Sequence, residues 1–401
     1  MKISVSVLCS LAAIAGAAVA MAEPLGLPPV PVPADNLITP AKIQLGEKLF
    51  NDKRFSSTGQ VSCSHCHERE KGFTDGPLKT SEGINKLVGT RNAPTIANAA
   101  YFARLFWDGR AQDLEDQSQH PFLNPIEMGL STHDTIVQIV RTDPDYIAMM
   151  QKAFGKAPGE VGMTEVKQAI ATFERTLVFG DSPFDRWYFG GQKNAMSEAA
   201  QRGFTVFRED GRCVSCHTIE QNFALFTDNR FHNIGVGITR IQDEVPKLAP
   251  EFLAAKARGA DVDKAVLSNR NTSELGRFAV TDTLDDIGAF KTPTLRNVAV
   301  TAPYMHDGSL ATLKDVVDHY NNGGITVKTD RVNDYLSGGI RPLHLTEQQI
   351  TDLVAFMEAL TSPQFEALQA KKAGLDPDAC SRSLKMARMA AAADSTKRIT
   401  P

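Results

Sequence analysis

Two short stretches carry the densest chemistry in the chain. Cys63-Ser64-His65-Cys66-His67 and Cys213-Val214-Ser215-Cys216-His217 share one pattern, C-x-x-C-H. Two thiols at this spacing can add to the two vinyl groups of a haem, and the next residue's imidazole can reach the iron as proximal ligand. A single match could equally be a redox dithiol or half of a zinc site. Two matches, each followed at once by His, predict two covalently attached c-type haems. Cys63, Cys66 and His67 would hold the first, and Cys213, Cys216 and His217 the second. With 6 cysteines in 401 residues, the chain is too sparse in thiols for a disulfide framework. Cys380 is left as an unpaired thiol without an assigned role.

The elements around the motifs repeat. Thr39-Pro40 reads as an N-cap and first helical position, and the helix behind it carries Gly46, Leu49 and Phe50. Ser197 reads as a second N-cap, before Gly203, Val206 and Phe207. Both helices show Gly-x-x-apolar-Phe, then a short polar loop, then C-x-x-C-H. Phe-Thr-Asp recurs afterwards, at 73–75 and 226–228. Thr346-Glu347-Gln348-Gln349 is a capping box. Behind it Ile350, Leu353, Val354, Met357 and Leu360 follow helical spacing, as in a closing helix of cytochrome c. Alternating strand patterns are scarce. The expected fold is mostly α, with two cytochrome-c-like domains at 23–185 and 186–365 and a C-terminal tail at 366–401.

Composition bounds the function. The chain is 42% hydrophobic and 22% charged with a net charge of −4, which fits a folded globular protein and argues against nucleic acid as a main partner. Residues 1–22 read as a secretory signal: Lys2, an apolar stretch that includes Cys9, and Ala20-Met21-Ala22 as the cleavage site. The mature chain is therefore expected in the periplasm, with no integral membrane span after cleavage.

Sixth ligands separate catalysis from electron transfer, because a catalytic haem keeps one position open. No Met lies between 21 and 128 and no His between 67 and 120. The usual nearby distal ligand of the first haem is missing, which predicts an open or water-bound iron beside His67. The alternatives are His120, His133 or a lysine. Downstream of the second motif stand Met305, His306, His319 and Tyr320. Thr312 caps a helix whose stripe is Leu313, Val316, Val317 and Tyr320, with His319 off the stripe and Gly323-Gly324 ending the helix. Tyr320 is thus expected to point inward, as an iron ligand or as a buried tyrosine bonded to backbone.

These motifs, with FWDGRAQDLEDQ at 106–117, NPIEM at 124–128 and TPTLRNVAVTAPYMHDG at 292–308, resemble the bacterial dihaem cytochrome c peroxidase and MauG family over nearly the whole mature chain. The resemblance implies that hydrogen peroxide binds at the His67 haem. It makes Glu127 the acid/base for O–O cleavage, with Gln117 beside it, and Trp107 the bridge between the haems. It makes Tyr320 a ligand of the second iron, as in MauG-type proteins, where peroxidases usually have Met. Asn92, Thr301 and Pro303 match the family's calcium site, with carbonyl oxygens suited to a hard cation. Members often form homodimers. One departure stands out: MauG has a tryptophan two residues before the second motif as its electron exit, and here that residue is Gly211. The only other tryptophan is Trp187.

Three functions follow. The first is a periplasmic dihaem peroxidase fed electrons by a small cytochrome c or cupredoxin. The second is a MauG-like enzyme that oxidises residues of a partner protein. The third is a dihaem electron carrier without catalysis, which the missing distal ligand, Gln117 and Glu127 argue against.

Overall fold

The computed structural model describes residues 23–325, 333–372 and 374. The leader at 1–22 with Cys9, and Cys380 with the chain around it, lie outside the described residues. The chain is mostly helical, and two crossed helix pairs organise it.

The first pair joins Pro40–Asn51 to Met163–Glu174. Thr39 starts the opening helix by accepting the Lys42 N–H, and Pro40 occupies the first turn, where its missing N–H costs nothing. Leu45, Gly46, Leu49 and Phe50 form its buried face. Gly46 sits at the crossing, where a Cβ would overlap the carbonyl of Ala169.

The second pair repeats the device with Glu198–Arg208 and Glu347–Glu358. Ser197 caps one helix, and Thr346 with Gln349 forms the capping box of the other. Gly203 lies at the crossing, against the carbonyl of Asp352. Arg202 ties the same point with two hydrogen bonds of 2.8 Å to Asp352. The recurring Gly-x-x-apolar-Phe is therefore a packing code. Glycine lets two helices touch, and the aliphatic residue and Phe that follow fill the core on either side.

Each pair carries its own core. Leu45, Phe55, Phe122, Ile136, Tyr146 and Ile170 lie in the first, and Phe184, Phe204, Phe207, Phe226 and Phe356 in the second. A third core had no counterpart in the sequence reading. Ile238, Val245, Phe252, Val266, Leu275 and Phe278 build a small helical unit between 238 and 287. Phe231–His232 and Phe290–Lys291 pair antiparallel at its base, so the chain leaves and returns at one place. This unit docks on the first half of the molecule. Arg277 donates to the carbonyls of Asp108 and Gly109, and Arg91 donates to Ser273.

The helix Leu313–Asn321 starts at Thr312 and ends before Gly323 and Gly324, both at positive φ, as expected. His319 corrects the expected pattern. It falls off the apolar stripe yet is only 2% exposed, and a ring nitrogen lies 2.8 Å from the carbonyl of Ile234. A stripe records packing on one side, whereas this helix is covered on two. The segment read as a tail begins as the helix Glu366–Lys372, whose Lys372 donates to the carbonyl of Val300. Among the described residues, no helix is long and apolar enough to cross a membrane.

Gly203→Ala should destabilise the protein by about 3 kcal/mol, the upper end of an overpacking penalty, because backbone stands where the methyl must go. Denaturant unfolding measures it. An unchanged midpoint would show that this crossing tolerates a side chain.

Candidate active site

Both motif histidines are held in the same way. Nδ1 of His67 lies 3.2 Å from the carbonyl of Phe73, and Nδ1 of His217 lies 2.8 Å from that of Phe226. These phenylalanines open the two Phe-Thr-Asp repeats. A carbonyl only accepts, so Nδ1 carries the proton and Nε2 keeps its lone pair for a metal. Burial lowers the pKa of both rings and keeps them neutral. Phe73 and Phe226 sit at φ +61° and +53°, a left-handed geometry that costs a non-glycine residue roughly 1–2 kcal/mol. Ring packing holds them there. Phe73 packs on Phe179 and Phe365, and Phe226 on Phe184, Phe207 and Phe356.

His217 borders a cavity of about 460 Å³, a size suited to a cofactor. Cys213 and Cys216 line it as free, half-buried thiols. Tyr320 and Met305 both line it too. The Tyr320 hydroxyl makes no hydrogen bond to a described residue, and burial raises its pKa. His306 spends Nε2 on Glu274 at 2.8 Å, and His319 is tied to Ile234. Three cationic side chains, Arg212, Lys291 and Arg341, reach the lining, and no described lining residue is a carboxylate. Burial lowers the Lys291 amine to about 7. Two thiols, a free imidazole nitrogen, apolar walls and cations fit a flat ligand with two vinyl groups and two carboxylate tails. The described groupings of potential metal ligands are Cys216–Asp228–His232 and Glu274–His306–Asp307. Neither holds both cysteines of one motif, as a zinc site built on C-x-x-C would.

The two motif sites share a wall. Thr74, the residue after Phe73, lines the His217 cavity, and so does Trp107. The Trp107 indole donates to the carbonyl of Asn92 at 2.9 Å, and its own carbonyl accepts the Lys291 N–H at 2.8 Å. Asn92, Thr301 and Pro303 meet in the same lining. Because the indole takes the Asn92 main-chain carbonyl, the oxygen Asn92 can offer a cation is Oδ1. Its Nδ2 donates the other way, to Lys79 at 3.1 Å.

The first motif has different electrostatics. Asp75 beside His67 is buried, and Glu174 buries a carboxyl oxygen with no hydrogen-bond partner among the described residues. Burial raises the pKa of both. Glu127 acts on the Cys63 and Cys66 thiols, which places it on this motif's side. Burial pushes Glu127 up to about 7; the Asp263 charge adds to this and Arg110 opposes it. The Glu127 loop is tightly fixed. Asn124 Oδ1 accepts the N–H groups of Ile126 at 2.9 Å and Glu127 at 3.3 Å, and Ile84 donates to the Glu127 carbonyl at 3.0 Å.

Gln117 ends the short helix Leu114–Gln117, half-buried, and no hydrogen bond joins it to Glu127. His120 pairs with Asp116 at 3.5 Å, and His133 lies 3.1 Å from the Gln119 carbonyl. The sequence reading missed Arg91, Asp108, Arg110 and Asn124 as a buried network, although three of them stand inside the quoted motifs. It missed Asp263 altogether, since nothing in the local sequence marks it.

A family model described as di-haem cytochrome c peroxidase matches residues 40–194. Cytochrome-c peroxidase IdrP1 of Denitromonas iodatirespirans is 39% identical over 90% of this chain and 92% of its own. Methylamine utilization protein MauG of Methylorubrum extorquens is 37% identical over 82% of this chain and 81% of its own. The crystal structure of a MauG-like protein associated with microbial copper homeostasis matches with a TM-score of 0.68 at 33% identity, over 87% of this chain and 96% of its own. With two identically held histidines after two C-x-x-C pairs, and relatives that span nearly its full length, the chain belongs to the dihaem cytochrome c peroxidase and MauG family of oxidoreductases.

Proposed function

We propose that the chain reduces hydrogen peroxide to two water molecules in the periplasm, taking up two protons and two electrons beside His67. The electrons enter one at a time beside His217 from a small cytochrome c or cupredoxin. The observation that carries this reading is an asymmetry between two otherwise equal histidine sites. A buried carboxyl poised near neutral pH stands on the side of the first motif, and a phenol with no hydrogen bond to a described residue lines the His217 cavity.

Each helix pair with its motif forms one cytochrome-c-like unit, 23–185 and 186–365. Cys63, Cys66 and His67, and Cys213, Cys216 and His217, attach the two c-type haems. When bound, these haems would supply the redox chemistry, with peroxide taken up in the first unit and electrons received in the second. The chain's own residues then do the rest. Glu127, about half ionised near pH 7, takes a proton from one peroxide oxygen and returns it to the other, so that the far oxygen leaves as water. Gln117 orients the peroxide by hydrogen bonding. Trp107, in the wall between the sites, provides an aromatic bridge for electrons. Tyr320 would offer the second haem an oxygen ligand: its hydroxyl makes no hydrogen bond to a described residue, whereas His306 and His319 are held by Glu274 and Ile234. Asn92 Oδ1 and the Thr301 and Pro303 carbonyls hold a calcium ion in the shared wall, where hard oxygen donors suit it.

Tyr320 also favours a second reading. A phenolate ligand favours the oxidised state of its iron, which suits MauG-like oxidation of a partner protein. Gly211 removes the tryptophan exit, so that reaction would need another route out of the second site.

Glu127→Gln should slow the peroxide step by roughly 10²–10⁴-fold while both haems stay attached, as stopped-flow absorbance would show. Wild-type kinetics would remove Glu127 from the mechanism. Tyr320→Phe should change the optical and EPR signature of the low-spin haem. An unaltered signature would transfer the ligand role to Met305.

A further inference from the structure

We propose that Asp263 is a positioning residue for Glu127: through Arg110 and Asn124 it joins the inserted helical unit to the acid/base loop. The inference rests on the reading of Glu127 given above. Asp263 lies on the helix Val262–Ser268, far along the chain from the loop it serves.

Each of its carboxylate oxygens has one partner. Oδ1 accepts from Arg110 Nε at 2.6 Å, and Oδ2 from Asn124 Nδ2 at 3.0 Å. A carboxylate only accepts, so it fixes which way the Asn124 amide points. The Asn124 NH₂ must face Asp263, and its Oδ1 must face the N–H groups of Ile126 and Glu127. Asn124 is 1% exposed, so water cannot substitute for either contact. Behind Asp263, Arg110 stacks over Phe106 at 3.5 Å and continues to Asp108, which Arg91 holds at 2.8 Å. The acid/base loop is thus clamped from outside its own domain by a chain of alternating charges.

The charged and titratable groups acting on Glu127 are Asp263, Arg110 and the thiols of Cys63 and Cys66, and the loop that packs on its backbone at Gly83 carries Glu82 and Lys86. Asp263 raises the proton affinity of Glu127, and Arg110 lowers it. Removing the Asp263 charge also leaves Arg110 without that partner. Both changes favour the carboxylate, so the Glu127 midpoint moves to lower pH. The unit stays docked without Asp263, because Arg277, Arg91 and Thr90 hold it independently.

The test uses the full chain with both haems. Infrared titration follows the carboxyl band that Glu127→Gln abolishes, and stopped-flow gives the peroxide rate against pH. Asp263→Asn should move the infrared midpoint and the acid limb of the rate profile together to lower pH, and Asp263→Glu should restore both. Midpoint and rate at wild-type values would overturn the proposal. If Asp263→Asn does not accumulate, Asn124→Ala tests the clamp from its other end. It should lower the peroxide rate at every pH with both haem spectra intact, and a wild-type rate there would equally overturn it. If Glu127→Gln reacts at the wild-type rate, the mechanistic reading fails, while a shifted infrared midpoint still supports the Asp263 contact.

Discussion

A buried imidazole can serve a metal only if its proton sits on the other nitrogen. In this chain a backbone carbonyl enforces that condition twice, through Phe73 for His67 and Phe226 for His217. Each carbonyl belongs to a residue in a left-handed conformation that would relax if its ring were free. The aromatic clusters around Phe73 and Phe226 therefore hold the histidines in place as well as filling the core. The C-terminal Phe365, remote in sequence from His67, enters the same arrangement by packing on Phe73.

One scaffold used twice yields two chemically different sites because the second layer differs. Around His217 the walls bring the basic side chains Arg212, Lys291 and Arg341 and no described carboxylate, and the Tyr320 phenol lines the same cavity. Around His67 stand three carboxyl groups whose proton affinity is raised by burial. Positive surroundings stabilise an electron, whereas carboxyls near neutrality can carry protons. Trp107 lines the His217 cavity, with its indole tied to the Asn92 carbonyl and its own carbonyl to the Lys291 N–H.

The inserted unit makes the two halves interdependent. It leaves the second half between the paired strands Phe231–His232 and Phe290–Lys291, yet its polar contacts reach the first half at Arg91, Asp108, Arg110 and Asn124.

The sequence by itself determined what local chemistry can encode. C-x-x-C-H spacing picked out residues able to attach a haem, caps at Thr39, Ser197, Thr312 and Thr346 marked helix starts, and Gly46 and Gly203 stood out as a repeat whose packing purpose only the fold showed. These signals lie within a few residues of the groups they govern. Only the tertiary structure decided the rest. Phe-Thr-Asp was visible as a repeat, but its purpose depends on a carbonyl that folding brings to the imidazole. His319 stands off the apolar stripe yet is buried, because helical periodicity sees one packing face and the Ile234 carbonyl covers another. Asp263 carries no motif, since its role comes from meeting Arg110 and Asn124 across more than a hundred residues. Local spacing fixes which atoms can bond to a cofactor, while the field and proton affinity around that cofactor are sums over neighbours that only the fold assembles.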